Sequence, residues 1–122
     1  MYIVTMKILA SPSKYWAELE FLDKAGVLHK KVLEAERKAT QNSNILYALE
    51  AGLRILLHPC ILNICTDSDY LTSATRCGWL VKWQQNGWKN AKGKTIGNVE
   101  QWLRVTELLA AHSYKIIKTN GE

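Results

Sequence analysis

Between Tyr70 and Val99 the sequence has no aspartate or glutamate at all, and nowhere does it have an apolar run approaching the roughly 20 residues that a bilayer span requires. Proline is scarce, with two in 122 residues, and there is no internal repeat or low-complexity linker. The cysteines, Cys60, Cys65 and Cys77, form no CxxC pair. Their odd number and lack of framework spacing exclude a disulfide-stapled secreted scaffold and fit a reducing compartment, so the cytoplasm is expected. His29, His58 and His112 fall at no ligand spacing from a cysteine, and a zinc site is not expected. The opening MYIVTMKILASPSKYW sets a short apolar run before small residues, as a secretory leader does. No charged residue precedes that run, so a first β-strand is the expectation.

What is present is a mixed, globular composition, 48% hydrophobic, with a net charge of +5. The charge is not evenly spread. Arg76, Lys82, Lys89, Lys92 and Lys94 all lie in the acid-free stretch, together with Trp79, Trp83 and Trp88. Basic residues interleaved with aromatics suit contact with phosphates and sugars. A solvated basic helix whose tryptophans pack on a core would have the same composition.

Periodicity orders the elements. Tyr2 to Ala10 and Tyr15 to Leu22 read as strands separated by a turn at Pro12, with a second turn at Asp23 to Gly26. Val27 to Ala39 fits a helix through Leu28, Val32, Ala35 and Ala39, or a third strand of a meander. Asn42 or Ser43 is placed to cap a helix through Ile45, Leu49, Leu53 and Leu56 that Pro59 closes. Cys60 to Thr66 is a buried strand ending on Asp67-Ser68-Asp69. Helical patterns run from Tyr70 to Gln85 and from Val99 to His112, and Tyr114 to Lys118 is a last strand. This order predicts an α/β domain, a mixed sheet with helices on its faces.

Thr66-Asp67-Ser68-Asp69-Tyr70, then Gly78-Trp79-Leu80-Val81-Lys82-Trp83, Asn86-Gly87-Trp88-Lys89 and Asn98-Val99-Glu100-Gln101-Trp102, resemble ribonuclease HI. In that family a strand ends in T-D-S-x-Y, a Trp-rich basic helix and loop (the handle) come next, and an Asn opens the following helix. Thr40-Gln41-Asn42 resembles the family's T-N-N helix start. The resemblance implies a ribonuclease H-like fold with a five-stranded mixed sheet. It also implies one domain over residues 1–122 that stops before the family's usual C-terminal helix.

Family chemistry uses two divalent ions about 4 Å apart to clamp the scissile phosphate and activate water. Hard cations take oxygen ligands, and the family gathers four acids for them. Asp67 matches one, as metal ligand and catalytic acid. The first-strand acid would fall near Thr5-Met6-Lys7, where there is none, and the glutamate of the first helix falls at Ile45. Glu50, five positions on, is about 500° round that helix and roughly 140° off the required face. The last acid belongs to the helix beyond this chain's end.

The resemblance preserves more of the binding side. Lys38, Thr40 and Asn98 match a pocket that holds a phosphate of the DNA strand, with Lys where Arg is common. Gln41 and Asn42 match residues that reach the minor groove and read 2′-hydroxyls. Trp79 and Trp83 match the handle tryptophans, with Lys82 adjacent, and Trp88, Lys89, Lys92 and Lys94 match the basic loop. For single positions plainer roles stay open: a strand-end turn for Asp67, strand-exit residues for Lys38 and Thr40, an N-cap for Asn98, core packing for Trp88 and Trp102.

Three functional readings result. One is a domain that binds RNA–DNA hybrid or a related duplex, with cleavage of the RNA strand put in question by the missing acids. A second is a divergent nuclease that holds Mg²⁺ or Mn²⁺ through Asp67, Asp69 and either Glu122 or a partner's acid. The third is an interaction module that uses the Trp-rich face for protein contact. No membrane partner is expected.

Overall fold

The computed structural model describes residues 2–90 and 92–119. Strands β1 (Ile3–Ala10), β2 (Lys14–Leu22) and β3 (Leu28–Glu36) form the antiparallel meander. Ser11 closes the first turn, its Oγ accepting from the Ser13 and Lys14 backbone amides. Asp23 closes the second, its Oδ1 accepting from Ala25 and Val27, while Gly26 takes the left-handed φ of +81° that the turn needs. The ambiguous segment after Val27 is therefore a strand. It pairs with β2 from Leu28 opposite Leu22 to Glu36 opposite Lys14, at an exposed edge that leaves its charges in water.

Helix α1 (Gln41–Ile55) opens two or three residues earlier than expected. Thr40, and neither Asn42 nor Ser43, is the cap: its backbone is extended and its Oγ1 accepts from Ser43 N at 3.0 Å. Gly52 lets this helix approach the sheet, since a Cβ there would stand 3.0 Å from the Met6 sulfur. Strand β4 (Ile61–Thr66) lies parallel to β1, and β5 (Ser113–Lys118) lies parallel to β4. The five-stranded mixed sheet has the order β3-β2-β1-β4-β5, so β4, which leads into Asp67, is an interior strand. The single helical pattern expected from Tyr70 to Gln85 is two helices, α2 (Asp69–Arg76) and α3 (Trp79–Gln85). They break at Cys77-Gly78, where Gly78 turns left-handed with φ 71°. Helix α4 (Val99–Leu109) ends three residues before His112, whose backbone amide closes a turn on the Leu109 carbonyl.

Strand alternation sorts the sheet into two unlike faces. Val4, Met6, Ile8, Ala17, Leu19, Leu62, Ile64 and Thr66 point to one side and are buried. Helices α1 and α2 pack there, with α4 against α1. The expected mixed sheet flanked by helices is thus present, with α1 and α2 contributing Leu49, Leu53, Leu71 and Ala74 to the core on this side. Ile3, Leu9, Leu22 and Ile61, at alternate positions, are exposed on the other.

Candidate nucleic-acid interface

Thr66-Asp67-Ser68 builds the turn from β4 into α2. Ser68 N donates to Thr66 Oγ1 at 3.1 Å, and Ser68 Oγ then caps α2 by accepting from Leu71 N. With both neighbours so engaged, Asp67 projects into solvent, without a hydrogen bond or ion pair among the described residues. Asp69, two residues on and largely exposed, is ion-paired to Lys118 at the end of β5. The register also moves the first-strand position. Met6 lies opposite Ile64, deep under Gly52, while Ile8 is opposite Thr66 and Leu9 follows it beside the strand end. Met6 therefore does not face Asp67 as the expected spacing required. The β1 residues that come nearest carry no carboxylate either. Ile45 is buried, at 2% exposure.

Glu50 belongs to a different assembly. Its carboxylate accepts from Arg54 Nε at 3.0 Å and from Arg104 Nε at 2.8 Å, bridging α1 to α4. Partial burial pushes this carboxyl up, but the two guanidinium hydrogen bonds outweigh burial and hold it below the ordinary carboxylate value. Glu50 in turn raises the Arg104 guanidinium. Among the described residues no three His, Cys, Asp or Glu side chains gather as a metal would require. One free aspartate and one aspartate already neutralised by lysine do not fit a pair of hard divalent ions. Glu122 lies outside the described residues.

The acid-free stretch is ordered by its aromatics. Trp79 and Trp83, four apart on α3, have ring centroids 6.2 Å apart. Trp83 meets the buried Trp102 of α4 edge-on at 5.8 Å, and the Trp102 indole N–H donates to the Tyr70 hydroxyl at 2.6 Å. This chain of rings fastens α3 to the body while Trp79 stays 41% exposed. Trp88 is half-buried against the core at a left-handed φ of 65°, and its carbonyl accepts from Ile96 N at 2.9 Å. A bridge between Lys89 and Thr95 completes the hairpin, and Asn90 Oδ1 accepts from the Lys92 and Lys94 amides. Lys82, Lys89, Lys92 and Lys94 are all exposed. A cavity of about 430 Å³ between helix and loop is lined by Trp79, Lys82, Trp83, Asn86, Lys89 and Ile96, among others.

Thr40 and Asn98, far apart in sequence, cap helices whose first turns are tied together. Ser43 Oγ donates to Gln101 Oε1 at 2.8 Å, and Gln101 Nε2 donates to the Ser43 carbonyl at 2.9 Å. Asn98 is left-handed and makes no side-chain cap hydrogen bond, so its amide is not consumed by the helix. Gln41 Nε2 donates to the Ala10 carbonyl, and Asn42 is exposed beside it. Lys38 and Asn98 line two cavities that share Arg37. Lys38 lines the first with Pro12, Ser13, Lys14 and Glu36. Sequence reasoning passed over Arg37 and Gln101. Asn98-x-x-Gln101 has the spacing of a helix-start pair, which was a usable signal. Arg37 had none beyond standing next to Lys38.

A family model described as RNase H matches residues 12–121. The chain belongs to the ribonuclease H family. The Ribonuclease H of Caldicellulosiruptor saccharolyticus is 37% identical over 93 residues, which cover 75% of this chain and 64% of that protein. LC9-RNase H1, a type 1 RNase H with the type 2 active-site motif, matches with a TM-score of 0.84 at 18% identity, over 100% of this chain and 64% of that one. LC11-RNase H1, solved in complex with an RNA/DNA hybrid, matches with a TM-score of 0.55 at 15% identity, over 97% of this chain and 86% of that one. The architecture is the ribonuclease H fold, and this chain spans under two thirds of the length of the first two proteins.

Proposed function

We propose that this ribonuclease H-family chain binds RNA–DNA hybrid through the Trp79–Trp83 helix, the lysine loop and the neighbouring N-termini of α1 and α4, without two-metal cleavage of the RNA strand. The observation that carries this reading is a concave basic and aromatic surface in continuity. The cavity under Trp79 and Trp83 and the cavity at Asn98 share Ile96 as a common wall. Base and sugar faces can pack on the tryptophans while phosphates meet the lysines and the amide of Asn98. The hybrid held by LC11-RNase H1 favours this substrate class. Against cleavage stand the donors near the end of β4: Asp67 alone, Asp69 paired with Lys118, and apolar Ile8 and Leu9.

The test is a salt titration of binding to a labelled hybrid, run alongside a cleavage assay in Mg²⁺ and in Mn²⁺ with Asp67→Asn as control. Each phosphate neutralised contributes roughly 0.7 to 0.9 to the slope of log affinity against log salt. Replacing Lys89, Lys92 and Lys94 together by Ala should therefore flatten the slope by about 2. Salt-independent affinity would instead favour a protein-contact role for the tryptophan face. Cleavage that Asp67→Asn abolishes would establish the divergent nuclease.

A further inference from the structure

We infer that Arg37 is the principal phosphate-binding residue of this surface, with Lys38 a peripheral contact. The inference rests on the hybrid-binding reading and names the group that grips the nucleic-acid backbone.

Arg37 leaves β3 at its C-terminal end and is fixed from three sides. Its backbone amide donates to the Ser13 carbonyl, and its own carbonyl accepts from Asn44 Nδ2 at 2.7 Å. Its Nη1 donates to Asn44 Oδ1 at 2.7 Å and to Ser43 Oγ at 3.1 Å. The guanidinium carbon sits 4.6 Å from the Tyr47 ring centroid, a cation–π contact. The groups that hold it are themselves rigid. Asn44 is fully buried and reaches the Ser11 carbonyl, while Ser43 is locked to Gln101. A long side chain ordinarily loses rotamer freedom when it captures a ligand, and here that loss has already occurred on folding.

The donors on Nε and Nη2 remain outside this network, among the described residues. Arg37 lines a cavity of about 450 Å³ together with Ile96, Asn98, Gln101 and Arg104, on the same wall system as the tryptophan helix. An Arg fork matches two phosphate oxygens at once, which an ammonium cannot do. Asn98, whose side chain is unused by its helix, lines the same cavity as Arg37. Lys38 is exposed, stands in the adjoining cavity with Lys14, and has no side-chain hydrogen bond or ion pair among the described residues. It can add charge but not geometry. Glu100 also lines the Arg37 cavity and opposes an anion there. Glu100→Gln should consequently strengthen binding.

The experiment measures binding of a short hybrid that carries one uncharged methylphosphonate, placed at each position of each strand in turn. The wild-type chain should lose about tenfold in affinity at one position, as expected for a charge-assisted hydrogen-bonded contact. Arg37→Ala should weaken the unmodified hybrid by a similar factor and be indifferent to the methylphosphonate at that position. Lys38→Ala should lose less than about threefold and keep the positional sensitivity. Arg37 also braces Ser43 and Asn44, so Arg37→Lys is measured in parallel. It keeps the charge, loses the fork, and should recover less than half of the lost sensitivity. If Arg37→Ala does not fold, Arg37→Lys decides alone. The assignment is overturned if Lys38→Ala abolishes the sensitivity while an Arg37 variant retains it, or if Arg37→Lys behaves as wild type. Arg37 variants at full affinity, with the Lys89, Lys92 and Lys94 variant weakened, would sink the Arg37 assignment and leave the hybrid-binding reading standing. No salt-dependent affinity in the wild-type chain would remove both.

Discussion

The tip of β4 and the helix–loop that follows α2 are neighbours in the chain, yet their side chains have gone opposite ways. At the tip, Asp67 has Ile8 and Leu9 on the strand beside it, and its fellow acid Asp69 is neutralised by Lys118. In the helix–loop, Trp79 and Trp83 pair on one helix, the lysines are exposed, and Asn90 ties the loop through the Lys92 and Lys94 amides. The difference follows from how each chemistry depends on its parts. A two-ion clamp needs several carboxylates at once, so removing one degrades the whole. Phosphate and sugar contacts add nearly independently, so a surface that has exchanged one for another still works. The proposed use of Arg37 beside Asn98, with Lys38 peripheral, would be such an exchange.

Three substitutions bear on this contrast, in falling order of expected effect. Trp102 is buried at 1% exposure and joins Trp83 to Tyr70, so Trp102→Ala should cost about 3–5 kcal/mol in a urea melt. A loss under 1 kcal/mol would mean that the helix–loop is not anchored through it. Trp79→Ala should leave the melt unchanged and reduce hybrid affinity by about 1–3 kcal/mol, since Trp79 is exposed and free to stack. Trp83→Ala should lower both, because the same ring packs on Trp102. Equal behaviour of these two variants would erase the distinction between the anchoring ring and the contacting ring.

The smallest effect is expected at Glu50. Its carboxyl is held below the ordinary value in the folded chain, so its contribution is present above the unfolded value of about 4.3 and is lost as pH falls through the lower, folded one. Glu50→Gln should lower stability by about 1 kcal/mol at neutral pH and converge with wild type once the pH falls below the lowered folded value. A variant that melted normally but changed metal-dependent activity would instead give Glu50 a role at the strand end.

The sheet order was legible because β1, β2 and β4 alternate or run apolar between clear turns, and the T-D-S string marks where β4 stops. The segment after Val27 was not, since an edge strand with one half-buried side chain carries no periodic burial to read. The break at Cys77-Gly78 was hidden for a related reason: one left-handed glycine interrupts two helices whose apolar faces continue across it. In the site, residue types were readable and partnerships were not. Nothing local says that Ser43 will bond Gln101 across 58 positions, or that Arg37 rather than Lys38 will enter the cavity of Asn98.

The parallel pairing of β1 with β4 has a consequence for the order of folding. The three-strand meander closes through turns of a few residues, while β1 must wait for a partner more than fifty residues downstream. Loop closure over that span is the slow step, and contacts of such high sequence separation dominate folding times. Until β4 arrives, Ile3 to Ile8 present one unpaired backbone edge. In a refolding experiment the β1–β2–β3 amides should gain exchange protection before those of β4 and β5, and concentration-dependent losses should arise in that interval.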